Sequence, residues 1–277
     1  MITNQFSVVT SVYKNDKTAF VKKALDSMLS RQSIQPTEII LVQDGPIPKD
    51  LSDLISTYER EYPTIIRIIR LDKNGGLGKA LRIGVDNATY DLIARMDSDD
   101  ICLEDRFEKQ LNFFNENPEC DIVGGQMTEF IGIESNIVGK RPVPCNDEEI
   151  KRYLRSRCPL NHVTVMFKKK AVLGVGNYQE WHYNEDYYLW IRMTLGGCCF
   201  ANLPDTLVNV RVGKEMYARR GGWKYFKSEK GLQNYMLRHK MISLPRYCYN
   251  VLGRFVIQVA MPNKLRGFIF QKLFRQH

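Results

Sequence analysis

Phe6-Ser7-Val8-Val9-Thr10-Ser11-Val12, Glu38-Ile39-Ile40-Leu41-Val42, Ile65 to Leu71 and Leu92-Ile93-Ala94-Arg95-Met96 are four short apolar runs. Their length and β-branched content fit strands buried on both faces. Between them lie helical stretches at about Thr18–Ser30, Lys49–Tyr62 and Gly75–Ala88; in the first, Phe20, Ala24, Leu25, Met28 and Leu29 share one face. Strand–helix alternation with short connections predicts a parallel sheet covered on both sides. Ligands of such sheets sit beyond the carboxyl ends of the strands. Tyr13, Asp44, Asn74 and Asp97 all follow strand ends, so they are expected along one rim.

Outward from this core the pattern loosens. A helix is expected over Leu103–Asn117, strands at Ile122–Gly124 and Val163–Phe167, and a helix at Tyr187–Leu195 closed by Gly196-Gly197. The composition turns basic near residue 211. Residues 211–277 hold 15 Lys/Arg and 2 Asp/Glu, a net +13, whereas the first 210 residues carry 25 − 29 = −4. An acidic body with a basic tail points to an anionic surface or ligand met at one end. Leu265, Phe268, Ile269 and Leu273 follow helical spacing beside Lys264, Arg266, Lys272 and Arg275, as in a helix lying in a headgroup layer. The alternative is ordinary packing of that face on the sheet domain.

Overall composition, 44% hydrophobic and 26% charged over 277 residues, fits a globular chain with a sizeable core and excludes disorder as the main state. The seven cysteines form no CxxC pair or finger spacing and read as reduced thiols. The start, Met1-Ile2-Thr3-Asn4-Gln5-Phe6, has no basic stretch ahead of an apolar one, so no signal peptide is expected. No run reaches the ~18–20 apolar residues of a membrane span. The expectation is a cytoplasmic chain that could also lie on the inner face of the cytoplasmic membrane.

Four short motifs carry chemistry. Asp97-Ser98-Asp99-Asp100 sets three carboxylates in four residues after a strand. Either a hard cation, Mg2+ or Mn2+, relieves their repulsion, or Asp99 or Asp100 caps a helix over Ile101–Asn117. Asp44-Gly45 is either a simple turn or an acceptor for a base or ribose. Asn74-Gly75-Gly76-Leu77-Gly78-Lys79 is a glycine-rich turn whose backbone, with Asn74, Gly76 and Lys79, suits a phosphate, though it matches no established phosphate-loop motif. Glu185-Asp186 opens a helix among Trp181, His182, Tyr183, Tyr187 and Tyr188; it is a catalytic acid pair or merely a first turn favoured by the helix dipole. His162 is a substrate contact or a structural histidine. Lys214, Arg219 and Arg220 are a diphosphate clamp or solvated charge.

In order and spacing over roughly residues 5–230, these segments resemble the family 2 glycosyltransferases of GT-A fold. Asn161-His162-Val163-Thr164-Val165-Met166 and Asn184-Glu185-Asp186-Tyr187-Tyr188-Leu189-Trp190 continue the match, and the look is that of bacterial enzymes building O-antigen and exopolysaccharide of the amylovoran type. The resemblance implies an α/β fold in three parts: a nucleotide-sugar half over 1–100, an acceptor and catalytic half over 101–210, and a basic lid with membrane-associating helices over 211–277. It implies inverting transfer of a hexose or N-acetylhexosamine from a UDP-linked sugar to a lipid-diphosphate-linked oligosaccharide, with no nucleic acid partner. Ser11, Tyr13 and Asp44 match base and ribose positions, Asp97 the ribose or donor sugar, Asp99 the Mn2+ or Mg2+ ligand, and Asp186 the general base beside Glu185. Two departures stand out: Gln43 replaces a frequent Asp, and Leu81-Arg82 stands where Arg-Asn is frequent. A nucleotidyltransferase is the competing enzyme, but Tyr13-Lys14-Asn15-Asp16 is not its basic glycine loop. A basic membrane- or nucleic-acid-binding module is the non-enzymatic competitor, and it leaves the acidic motifs unexplained.

Overall fold

The computed structural model describes residues 5–213 and 221–261. Strands β1 (Phe6–Val12), β2 (Glu38–Gln43), β3 (Ile66–Arg70) and β4 (Leu92–Arg95) pair in parallel in the order β3-β2-β1-β4. Beyond β4 the sheet continues through β8 (Met166–Lys168), β6 (Ile122–Phe130), β9 (Phe200–Arg211) and β5 (Ile101–Cys102), with β7 (Ile137–Arg141) paired to β6. Strand β8 runs antiparallel to both neighbours, and β6 pairs β9 in parallel.

The parallel half has the expected physical cause. Alternate residues of β1 enter opposite cores: Val8 joins Leu25, Leu41 and Phe107, and Val9 joins Ile40, Leu81 and Val85. Helices α1 (Thr18–Met28), α2 (Lys49–Glu61) and α4 (Arg106–Glu116) cover the first side. Helices α3 (Leu77–Asn87) and α7 (Glu185–Leu195) cover the second. The remaining helices are α5 (Asp147–Leu154), α6 (Lys169–Gly174), α8 (Trp223–Arg238) and α9 (Leu244–Phe255). All seven cysteines are free.

Three local expectations are corrected. Asp99 and Asp100 cap no helix, because Ile101–Cys102 is a strand held by Asn209 and Val208, and α4 starts only at Arg106. The expected strand over Val163–Phe167 begins as a 3-10 turn, His162–Thr164, and becomes β8 at Met166. The brief strand at Ile122–Gly124 is the start of a nine-residue strand, and β7 and β9 escaped notice because their polar residues hide the alternation.

Gln110 ties α4 to the second half of the sheet. It is fully buried on α4; its Nε2 donates to Val123 O (3.1 Å) and Thr164 O (2.9 Å), and its Oε1 accepts from Arg106 Nε (3.1 Å). Replacing it with Leu strips these buried groups of a partner, at about 1–3 kcal/mol each. Gln110→Leu is expected to lower unfolding free energy by about 2–4 kcal/mol in urea titration, and an unchanged midpoint would contradict this bridging role.

Candidate active site

The site lies where the carboxyl ends of the strands open. Asp44, 4% exposed, directs both carboxylate oxygens into the glycine-rich turn. Oδ1 accepts from Gly75 N (2.7 Å), and Oδ2 accepts from Gly76 N (2.9 Å) and Asn74 Nδ2 (2.8 Å). The turn is therefore tied down where α3 begins, presenting the positive end of that helix to the rim. Gly45 is required beside it: its φ is +84°, and a Cβ there would sit 2.5 Å from Asn74 N. Gln43, at the altered position, donates from Nε2 to Gly45 O (3.1 Å). Ser11 lies near the end of β1, in register with Val42, and Tyr13 just beyond it is half-buried.

The acidic turn after β4 is tolerated because each carboxylate has a different neighbour. Asp97 makes a two-pronged pair with Arg95, Nη1 to Oδ2 at 2.7 Å and Nη2 to Oδ1 at 2.5 Å. Arg95 is 2% exposed, and its Nε is buried with no hydrogen-bond partner among the described residues. Asp100 is buried and accepts from Arg211 N at 2.7 Å; burial and the charges of Asp99 and Asp97 push its carboxyl well up. Arg211 also donates from Nε to Asp99 O (3.1 Å), with its guanidinium 3.8 Å from the Phe20 ring centre and 4.6 Å from that of Phe130. Asp16 accepts from Tyr13 N (3.1 Å) and Ser98 Oγ (2.9 Å), and burial lifts it to about 6. Asp99 is also lifted to about 6, by loss of water around it and then by the negative Asp97 and Asp16.

Sequence reasoning missed Asp16 and Arg211. Asp16 was legible only through the pairing of β1 with β4, which sets the two following loops side by side. Arg211 gave no local signal, being 111 residues from Asp100.

The opposite wall comes from α7. Asn184, just before it, donates to Ser228 Oγ (3.0 Å) and anchors the helix start to α8. Asp186 in the first turn accepts from Tyr187 N (2.7 Å) on Oδ1, and Oδ2 faces the Cys158 thiol (3.7 Å). Burial raises its pKa, while the Tyr187 N–H and the positive Arg141 and Arg95 oppose the rise. Glu185 is pushed up to about 7 by burial and by Asp186. Gly78 of α3 lies against Glu185, so the first turns of α3 and α7 meet. A cavity of about 330 Å³ brings together Arg95, Asp97, Asp100, His162, Glu185 and Asp186. His162 is held by Tyr178 OH (2.9 Å), and burial, then Arg95, drive it well below the ordinary histidine range, so it is neutral near pH 7.

Other candidates stand apart. Asp99 does not line this cavity. Lys79 is exposed, and Arg82 faces solvent with Asp86 at 3.9 Å. Lys214, Arg219 and Arg220 lie outside the described residues.

Such a site, two carboxylates facing a carboxylate-rich turn over a helix-end anion cradle, suits transfer of a group away from a diphosphate. The glycosyl transferase family 2 model matches residues 7–174, which include the glycine-rich turn, the acidic turn and His162. The chain belongs to that family. It is 38% identical over 96% of its length to the amylovoran biosynthesis glycosyltransferase AmsE of Erwinia amylovora, covering 98% of that protein. It is 35% identical over 99% of its length to the Escherichia coli UDP-Gal:alpha-D-GlcNAc-diphosphoundecaprenol beta-1,3-galactosyltransferase, covering 98% of it. Among solved structures, a mannosyltransferase of Pyrobaculum calidifontis in complex with GDP-Man and Mn2+ aligns at a TM-score of 0.64 and 12% identity, over 95% of this chain and 71% of that one. The fold of this family 2 glycosyltransferase is GT-A, and the chain is a transferase.

The Asp44 turn yields a controlled test. Gly45→Ala meets both a left-handed φ and a backbone clash, so it is expected to cost about 1–3 kcal/mol and to weaken nucleotide binding. Gly132→Ala, with φ +75° but no atom within 4 Å of the added Cβ, keeps nucleotide affinity. Equal nucleotide affinity in Gly45→Ala and wild type, by calorimetry, would separate the turn from the donor site.

Proposed function

We propose that this family 2 glycosyltransferase moves a hexose or N-acetylhexosamine from a UDP-linked donor onto a lipid-diphosphate-linked oligosaccharide, with inversion, in O-antigen or exopolysaccharide assembly. The observation that carries this is the meeting of Asp97, Glu185 and Asp186 in one cavity beside the α3 turn. The two relatives supply the sugar chemistry by name: amylovoran synthesis in one, UDP-Gal and a diphosphoundecaprenol-linked GlcNAc in the other.

The residues divide the work by position. Ser11, Tyr13 and Asp44 flank the nucleoside, with Asp44 acting through the turn it holds as well as by any contact of its own. The start of α3, set in place by the Asn74–Gly76 turn whose Gly76 N–H is held by Asp44, takes the diphosphate, with Lys79, Arg219 and Arg220 as its cationic partners. Asp97, aligned by Arg95, takes a ribose or sugar hydroxyl. Asp186 removes the proton of the acceptor hydroxyl as that oxygen attacks the anomeric carbon from the face opposite the diphosphate, which gives inversion. Its Oδ1 is fixed by the Tyr187 N–H, and Oδ2, which has only the Cys158 thiol at 3.7 Å as a donor, takes the proton. His162, neutral, is a hydrogen-bonding contact for the acceptor rather than a cation.

The acidic turn also fits a divalent metal. Asp99 is a hard oxygen donor held in unfavourable like charge by Asp97 and Asp16, which a cation relieves. Among the described residues no three His, Cys, Asp or Glu groups form a ligand cluster, so Asp99 would supply one ligand and the diphosphate and water the rest. When bound, Mg2+ or Mn2+ offsets negative charge on the leaving diphosphate.

Incubation with labelled UDP-sugars and a lipid-diphosphate acceptor, followed by anomeric analysis, tests the reading: an inverted product is expected, and sugar transfer with retention or no transfer from any UDP-sugar overturns it. In the same assay Asp186→Asn is expected to cut kcat by ~10²–10⁴-fold with donor affinity kept. The base works deprotonated and its pKa is raised, so the acid limb of kcat should lie above the ordinary Asp range. A loss below tenfold would transfer the role to Glu185.

Metal binding has its own readout. UDP with Mn2+ is expected to raise Tm above UDP alone in wild type, by linkage of ligand to the folded state. Asp99→Ala should abolish the metal increment and keep the wild-type Tm without ligand to within a few degrees. A full increment in the variant would remove Asp99 as the ligand.

A further inference from the structure

Helix α9 is inside out. A helix on a globular surface ordinarily buries its apolar side and exposes its polar side. In α9 the one buried residue is Asn250, and in the π-helical turn that extends it, Val256–Ala260, the one buried residue is Gln258. These belong to a polar inner row, Asn250, Arg254 and Gln258, at four-residue spacing. Asn250 Nδ2 donates to Arg155 O (2.9 Å) and Gln233 Oε1 (2.8 Å). Arg254 donates to Glu229 Oε2 (2.7 Å) and Ser156 O (2.6 Å), and Gln258 Nε2 to the same Glu229 oxygen (2.8 Å).

The outer row is apolar. Leu244 is 62% exposed, Tyr249 75%, Leu252 65% and Val256 44%. Trp223 at the start of α8, 52% exposed, extends this face through the Phe255 ring (6.3 Å). Two residues on, Tyr225 lines the active-site cavity. The apolar face therefore runs along α9 to the first turn of α8, the turn from which Tyr225 reaches the cavity.

We propose that this face of α9, with Trp223, is the surface by which the enzyme lies on an anionic lipid bilayer. The fixed inner hydrogen bonds leave the helix no rotation that would hide its apolar row from water, so a non-aqueous partner must cover it. Charge decides which partner. Residues 221–261 hold seven Lys/Arg and one Glu, a net of +6 (7 − 1), with Lys224, Lys227, Lys230 and Arg246 exposed. A second copy would bring +6 against +6. The 262–277 segment, with Lys264, Arg266, Lys272 and Arg275 and no Asp or Glu, has the same sign. Anionic headgroups attract such a rim, while Leu252, Tyr249 and Val256 enter the acyl boundary and Trp223 suits the interfacial level. Among the described residues no helix is long and apolar enough to cross, so the contact is in the plane of the bilayer. The sequence-based expectation placed membrane contact at Leu265–Leu273, outside the described residues; here the surface is α9 itself.

The inference deepens the lipid-linked acceptor reading, because it seats the cavity mouth at the leaflet, yet its test does not depend on catalysis. Full-length protein is floated with vesicles of phosphatidylglycerol and phosphatidylethanolamine, and with phosphatidylcholine alone, at low and high salt. Wild type is expected to float on the anionic vesicles, less at high salt, and at least tenfold less on phosphatidylcholine. Leu252→Gln with Val256→Gln, neutral and outward-facing, should reduce anionic partitioning at least tenfold with an unchanged thermal midpoint and unchanged transfer to a short water-soluble acceptor. Arg246→Gln with Lys227→Gln should flatten the salt dependence. Equal flotation of the apolar variant and wild type overturns the proposal. So does absence of wild-type flotation, or a wild-type dimer by sedimentation equilibrium that the apolar variant dissociates. Failure of sugar transfer with vesicle binding intact would instead sink the donor and acceptor reading and leave this surface standing.

Discussion

Four carboxylates, Asp16, Asp97, Asp99 and Asp100, are crowded at the ends of two adjacent parallel strands, and the site is organised around containing their repulsion. Arg95 neutralises Asp97 from within the sheet, although burying a guanidinium is costly without such a partner. The Arg211 N–H satisfies Asp100, and Ser98 and the Tyr13 N–H satisfy Asp16. Asp99 is offset only by the Arg211 charge and a backbone hydrogen bond, and burial with the negative Asp97 and Asp16 outweighs them, which is why a cation is proposed there. Arg211 is itself clamped between Phe20 and Phe130, so the end of β9 is fixed to the first turn of α1 and to the end of β6.

The second wall depends on a different device. Asp44 spends its carboxylate on backbone N–H groups of the glycine-rich turn, and this sets where α3 begins. Asn184 sets where α7 begins by reaching α8. Two helix starts thus converge, and Gly78 leaves room for Glu185 between them. The positive helix ends favour anions, yet burial raises both Glu185 and Asp186. A carboxylate with raised proton affinity next to a phosphate cradle is matched to taking a proton near neutral pH.

The C-terminal helices reverse the usual economy of a surface. Glu229 sits 14% exposed and is satisfied by Arg254 and Gln258, a polar seam where a core would ordinarily be apolar. Such a seam fixes rotation more tightly than hydrophobic contact, because each hydrogen bond has a direction and each buried polar group left unpaired costs about 1–3 kcal/mol. What the seam fixes outward is an apolar row that reaches Trp223 at the start of α8.

The parallel core was legible in the sequence because buried strands and amphipathic helices are local patterns: β1 over Phe6–Val12 is marked by a run rich in β-branched residues, β4 from Leu92 by a short apolar run, and α3 by the glycines ahead of it. The acidic turn, Glu185-Asp186 and His162 were legible as residue types at strand and helix ends. Long polar-flecked strands such as β9 were not, since their pairing comes from a distant partner rather than from their own alternation. Sequence alone thus determined the fold class, the family resemblance and the chemical groups available. Only the tertiary structure decided that Asp44 acts on a turn, that Arg95 holds Asp97, that Asp16 and Arg211 join the site, and which side of α9 faces out. Apart from the Arg95–Asp97 pair, those choices rest on contacts between residues 17 to 111 positions apart, which no local periodicity records.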